Sequence, residues 1–155
     1  MENLSDRRIA HGIVGWNLVE YLSNAIDSVI CYRMIGEPLF VVITGGKPDD
    51  LNQIIEKYQH TSEVFFQELK HDPEYGKTGS LYHAYNQLFA QVRNKGFRYL
   101  NLIQSDLQLL WWDQDILAHY LLIFEYFKNS VDVFTGFSKR GTNPCLLYTS
   151  PSPRD

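Results

Sequence analysis

The chain has 155 residues, 45% of them hydrophobic and 21% charged, which suits a packed globular domain and excludes a disordered chain. A formal net charge of −4 with no basic stripe argues against nucleic acid as a partner. No apolar run is long enough for a membrane span and MENLSDRRIA lacks a signal peptide's apolar stretch, so a cytoplasmic location is expected.

Residues 9–14, IAHGIV, read as a short strand. In LVEYLSNAIDSVI, Val19, Leu22, Ile26, Val29 and Ile30 recur at helical spacing and predict an amphipathic helix. PLFVVI, 38–43, is a short, continuous, branched apolar run before the turn-like TGGKPDD, which predicts a buried strand. Asp49 and Asp50 then precede LNQIIEKYQ, whose Leu51, Ile54, Ile55 and Tyr58 share one helical face. Acids suit the start of that helix.

SEVFFQEL, 62–69, is a third candidate strand. KHDPEYGKTGS, 70–80, reads as a polar loop leading into a helix over about 81–94, with Leu81, Ala84, Leu88 and Val92 aligned. Gly96 is placed to end that helix. FRYLNLIQ is the next predicted strand, 114–128 the next helix and VDVFTGF, 131–137, the last strand. Strands alternating with helices imply an α/β fold, a mostly parallel sheet covered on both faces.

In such sheets ligands bind outside the carboxyl ends of the strands. Three predicted strands end there in non-apolar punctuation: GWN at 15–17, TGGKPDD at 44–50 and QSD at 104–106. An unpartnered carboxylate in a core is costly, so Asp106 is expected at the mouth of a cleft. There it either pairs with a nearby Lys or Arg or holds a ligand. Thr44 and Gly45-Gly46 taken alone suit a tight turn, and Lys77 taken alone a solvated surface. The five histidines show no metal-ligand spacing, and Cys31 reads as inert helix packing.

The order of elements over roughly residues 8–137 resembles the nucleotide-sugar-binding half of GT-A-type glycosyltransferases, most of all family 2. The resemblance rests on Trp16-Asn17 after the first strand, ITGGKPDD after the second, Gly79, Ala84 and Asn86 around the third helix, and QSD. It implies a Rossmann-like GT-A sheet, here truncated, and sugar transfer from a nucleotide-diphosphate sugar to a glycan, lipid or protein acceptor. It further implies Mg2+ or Mn2+ at Asp106, with Gln104 offering a neutral oxygen. Gly15, Trp16, Asn17 and Thr44 would meet base and ribose, and Lys77 and Gly79 the phosphate side. The chain departs from the family pattern at Thr44 and Gln104, both acids in the usual motifs. A binding module without turnover is therefore a rival reading. A sugar-phosphate nucleotidyltransferase is another, although GWNLVEYLSN lacks that class's basic glycine-rich loop.

The end of the chain, CLLYTSPSPRD from Cys145, resembles a translated sequencing adapter. The expected organisation is a GT-A-like fragment over 1–144 and a non-native tail over 145–155. The general base is then expected on a later segment of the natural protein, and this chain alone is expected to be inactive. Without Cys145, Cys31 has no intrachain disulfide partner, which fits a reducing compartment.

Overall fold

A computed structural model of the protein describes residues 9–16, 19–45, 47–70, 74 and 76–105; of Trp16, Lys77 and Thr78 it describes the backbone. All of these fall within the first of two units of the chain, Met1–Leu110. Strands β1 (Ile9–Trp16), β2 (Leu39–Thr44), β3 (Val64–Leu69) and β4 (Tyr99–Gln104) alternate with helices α1 (Val19–Tyr32), α2 (Pro48–Tyr58) and α3 (Gly76–Asn94). The strands form one sheet in the order β3-β2-β1-β4, and all three pairings are parallel. The α/β fold class expected from the alternation is the one observed.

The two central strands explain their own sequences. Every residue of β2 is buried, as expected where helices cover both faces of a strand. Alternation sends Ile13, Leu39, Val41, Ile43 and Ile103 towards α1 and α2, which contribute Leu22, Ala25, Ile26, Val29, Leu51, Ile54 and Tyr58 to one core. On the other face Ala10, Val14, Phe40 and Val42 meet Ala84, Leu88 and Val92 of α3. Gly12 permits that second contact. A Cβ there would lie 2.8 Å from Leu88 Cδ2 and 2.9 Å from Leu100 Cδ1.

Helix boundaries follow local chemistry. Pro48 opens α2, where its missing N–H costs nothing, and Asp49 and Asp50 fall inside the first turn rather than before it. Gly96, at φ +77°, ends the α3 segment as expected. Its N–H donates to Arg93 O at 2.9 Å and the Phe97 N–H to Val92 O at 3.2 Å, a Schellman closure.

Two expectations are corrected. α3 begins at Gly76, not near residue 81, so Lys77 and Gly79 belong to its first turn and not to a loop. Ser80 Oγ donates to Gly76 O at 2.8 Å inside that turn, so the small polar residues that read as loop are helical. Cys31 is likewise exposed rather than packed, because the buried stripe of α1 runs through Leu22, Ala25, Ile26 and Val29. The predicted helix at 114–128, the strand at 131–137 and the tail at 145–155 lie outside the described residues.

Candidate functional site

The carboxyl edge of the sheet gathers most of the residues singled out in the sequence. The register pairs Gly15 with Ile43 and Trp16 with Thr44, so these last positions of β1 and β2 stand side by side. On the far side of β2, Thr44 pairs with Leu69, the last residue of β3. Val14 pairs with Gln104, where β4 ends. β1 therefore reaches two residues beyond β4, and the row of its final residues is open on that side among the described strands.

The direction of chain progression reverses between β1 and β4. From β1 the chain moves outward through β2 to β3, with α1 and α2 on one face. It then crosses back over the other face by α3 to reach β4. This reversal is the point at which open α/β sheets form a crevice for ligands.

Individual side chains differ in what they offer. Thr44 is 1% exposed and continues the face of Phe40 and Val42, so its hydroxyl points to the α3 side. Gly15 is buried against α1, and a Cβ there would lie 2.9 Å from Leu22 Cδ2. The strand can approach the start of α1 this closely only because residue 15 has no side chain. Gly45 has φ +73°, a left-handed turn that glycine adopts without strain. Gln104 is exposed, Ser105 half-buried and Asn86 exposed on the polar face of α3. Asn17 and Asp106 lie outside the described residues, as do Trp111 and Trp112.

All three helices start from this edge, because each follows the carboxyl end of a strand. Their N-termini therefore direct unpaired N–H groups and positive dipole ends towards it. α1 carries Glu20 in its first turn and α2 carries Asp49 and Asp50, so both are partly neutralised. α3 has no acid there and has Lys77 instead, with Gly76 at φ +59° and open space around it. Among the three it is the start best suited to an anion. Residues 76–80 have the composition of a loop, so this dipole leaves no signal in the sequence.

Among the described residues no group of three or more His, Cys, Asp or Glu side chains is placed to hold a metal ion. What this edge offers a hard cation is the Gln104 amide oxygen, with Asp106 two positions further along the chain. One carboxylate and one amide oxygen suit such a cation if phosphate oxygens and water complete its shell. The displaced titrations lie elsewhere. Burial pushes the Tyr58 and Tyr85 phenols above their ordinary values, and a hydrogen bond to Asp27 does the same for Lys57.

This architecture is the GT-A glycosyltransferase type of α/β fold. Solved structures with it include TarS of S. aureus, a GT-A-type glycosyltransferase. Over 88% of this chain and 23% of TarS, the TM-score is 0.61 at 16% identity. The TarS 1–349 structure gives 0.59 at 14% identity, covering 88% of this chain and 38% of that one. TarS 1–349 in complex with UDP-GlcNAc gives 0.56 at 15% identity, with 88% and 37% covered. The chain thus spans less than two-fifths of the proteins it resembles. The sequence matches no family model and no curated protein. Among the described residues no helix is long and apolar enough to cross a membrane.

Proposed function

We propose that the chain is the nucleotide-sugar-binding part of a family 2-like glycosyltransferase that acts on a nucleotide-diphosphate sugar. The observation that carries this reading is the reversal of chain progression between β1 and β4, the place where open α/β sheets take ligands, in a fold shared with a protein crystallised with UDP and with UDP-GlcNAc. Gly15 and Trp16 at the end of β1, Asn17 next in the sequence, and Thr44 at the end of β2 are proposed to receive base and ribose. Lys77 and Gly79, in the first turn of α3, are proposed to face the diphosphate. The cytoplasm, where such donors are made, is the proposed location, and the acceptor is a glycan, lipid or protein.

Sugar transfer requires an acceptor hydroxyl to attack the sugar carbon while the nucleoside diphosphate departs. The demanding feature is negative charge building on the leaving oxygens. Mg2+ or Mn2+ held at Asp106, when bound, supplies charge neutralisation there. The chain's own contribution is positioning. Buried strand ends fix the nucleoside, the α3 dipole and Lys77 attract the phosphates, and Gln104 offers a neutral oxygen beside them.

The test is Asp106→Ala in the full-length gene product, with nucleoside diphosphate binding followed by calorimetry. Loss of the divalent-cation-dependent part of binding is expected, and unchanged binding refutes the assignment. The neutral Thr44 and Gln104 favour a second reading, a module that binds without turnover. Donor hydrolysis by the full-length protein excludes it.

A further inference from the structure

Three polar side chains are buried among the described residues: His11, Thr44 and Ser80. Two of them are satisfied within the chain. His11, towards the opposite, amino edge of the sheet, has Nε2 2.8 Å from Glu37 Oε2 and Nδ1 3.1 Å from Asn101 Nδ2. Ser80 Oγ donates to Gly76 O at 2.8 Å. Thr44 differs. Its hydroxyl has no hydrogen-bond partner among the described residues, yet none of their fully sealed side-chain oxygens lacks one. The 1% of Thr44 that stays accessible is therefore its hydroxyl.

The end of β2 explains the missing partner. Thr44 stands between Trp16 of β1 and Leu69 of β3, both in register with it. Phe40 and Val42 fill the same face behind it and carry no polar side-chain atom. Gly45 turns the chain at φ +73°, and neither Gly45 nor Gly46 has a side chain to offer. Threonine is stiff at χ1, so Oγ is held in one place. Its hydrogen still rotates about the Cβ–Oγ bond, so the group can donate or accept. A polar atom left unpaired in a buried setting gains from a ligand group that reaches it.

We propose that Thr44 reads the ring nitrogen N3 of a pyrimidine base and admits uracil and cytosine alike. This rests on the reading that the carboxyl edge receives a nucleoside diphosphate. The two bases are alike in size and opposite in polarity at that atom: uracil presents an N3–H donor and cytosine an N3 acceptor. The hydroxyl accepts from the first and donates to the second. A carboxylate in its place only accepts, so it serves uracil and repels cytosine N3. Thr44 faces the α3 side of the sheet, the side on which Lys77 and the first turn of α3 are proposed to meet the diphosphate. Base and phosphates then lie over one face.

The test is calorimetry on the full-length protein in Mg2+, with UDP and CDP as probes. The natural sequence is expected to bind the two within about fivefold of each other, because each makes one neutral hydrogen bond to the same oxygen. Thr44→Val keeps the shape and removes the hydroxyl, and should weaken both nucleotides by about 2–10-fold. Thr44→Asp should introduce selection, with UDP bound at least about tenfold more tightly than CDP. A larger ratio between the nucleotides in the natural protein overturns the proposal. So does a Thr44→Val protein that binds both as tightly as the natural one, or a folded Thr44→Asp protein that does not discriminate. If Thr44→Asp does not fold, the natural ratio and Thr44→Val decide. If neither nucleotide binds the natural protein, the nucleoside diphosphate reading itself falls and this inference falls with it.

Discussion

Gly12→Ala is a sharp test of how the sheet and α3 share one core. The added Cβ would lie 2.8 Å and 3.1 Å from the two Leu88 methyls and 2.9 Å from Leu100 Cδ1. Carbon atoms prefer roughly 3.5–4.0 Å, so the neighbours must retreat by several tenths of an ångström. Leu88 has no room to do so: it is 0% exposed and clusters with the buried Ala84 and Val92. Overpacking of this kind costs about 1–3 kcal/mol, partly offset by ~0.4–1 kcal/mol because alanine restricts the unfolded chain. A net loss of roughly 1–2 kcal/mol follows, read as a lower urea midpoint by far-UV circular dichroism. Leu88→Ala alone should cost about 2–5 kcal/mol through the cavity it leaves. In that background both Leu88 contacts are gone and only the contact with the half-buried Leu100 remains, so Gly12→Ala should cost clearly less than it does with leucine at 88. If Gly12→Ala costs as much with alanine at 88 as with leucine, the packing argument fails.

Gly36 offers the contrasting case. It has φ +89° with nothing near its missing Cβ, so Gly36→Ala should cost about 1 kcal/mol from backbone strain alone, whatever residue lies beside it in denaturant titrations. Tyr58→Phe removes a hydroxyl that donates to Asp27 Oδ1 at 2.7 Å and reaches Ser23 O at 3.0 Å, and should cost about 0.5–1.5 kcal/mol by urea unfolding. Burial raises the Tyr58 phenol, so its neutral form stabilises the fold below the ordinary tyrosine range and that stability is lost as pH rises through it. Tyr58→Phe should therefore flatten part of the alkaline loss; Tyr85, raised by the same cause, and Lys57, raised by its hydrogen bond to Asp27, still contribute to it. The Lys57–Asp27 pair at 2.8 Å is half-exposed on both sides, so Lys57→Met should cost less than Asp27→Ala, which also deprives Tyr58 of an acceptor. A cost for Lys57→Met equal to that of Asp27→Ala, measured in the same buffer, contradicts this ranking.

The sequence displayed β2 because it lies inside the sheet, where both faces require apolar residues and leave an unmistakable run. Amphipathic spacing served α1 and α2 equally well. It failed at the start of α3, where Gly76, Lys77 and Gly79 have the composition of a loop. That turn is helical for reasons its residue types do not signal, and α3 as a whole has weak one-sidedness, with Leu81 and Phe89 exposed. Cys31 reads as packing by residue type, and its exposure follows from its place off the stripe through Ala25, Ile26 and Val29. The cluster around His11 was not legible. Glu37 is 26 positions away and Asn101 90, and only strand register brings them together. At the candidate site the punctuation after β1 and β2 marked Gly15, Trp16 and Thr44, and their adjacency came from the parallel pairing.

The most direct measurement of the central claim is a titration of the 15N-labelled protein with UDP in the presence of Mg2+, followed residue by residue. The account predicts that amide signals of Gly15, Thr44, Gly45 and Gln104 move together at the carboxyl edge, with those of the α3 start. Gly36 and Arg98 at the amino edge should stay in place. Absence of shifts at the carboxyl edge, or shifts centred on the amino edge, contradicts the claim that this crevice receives a nucleoside diphosphate.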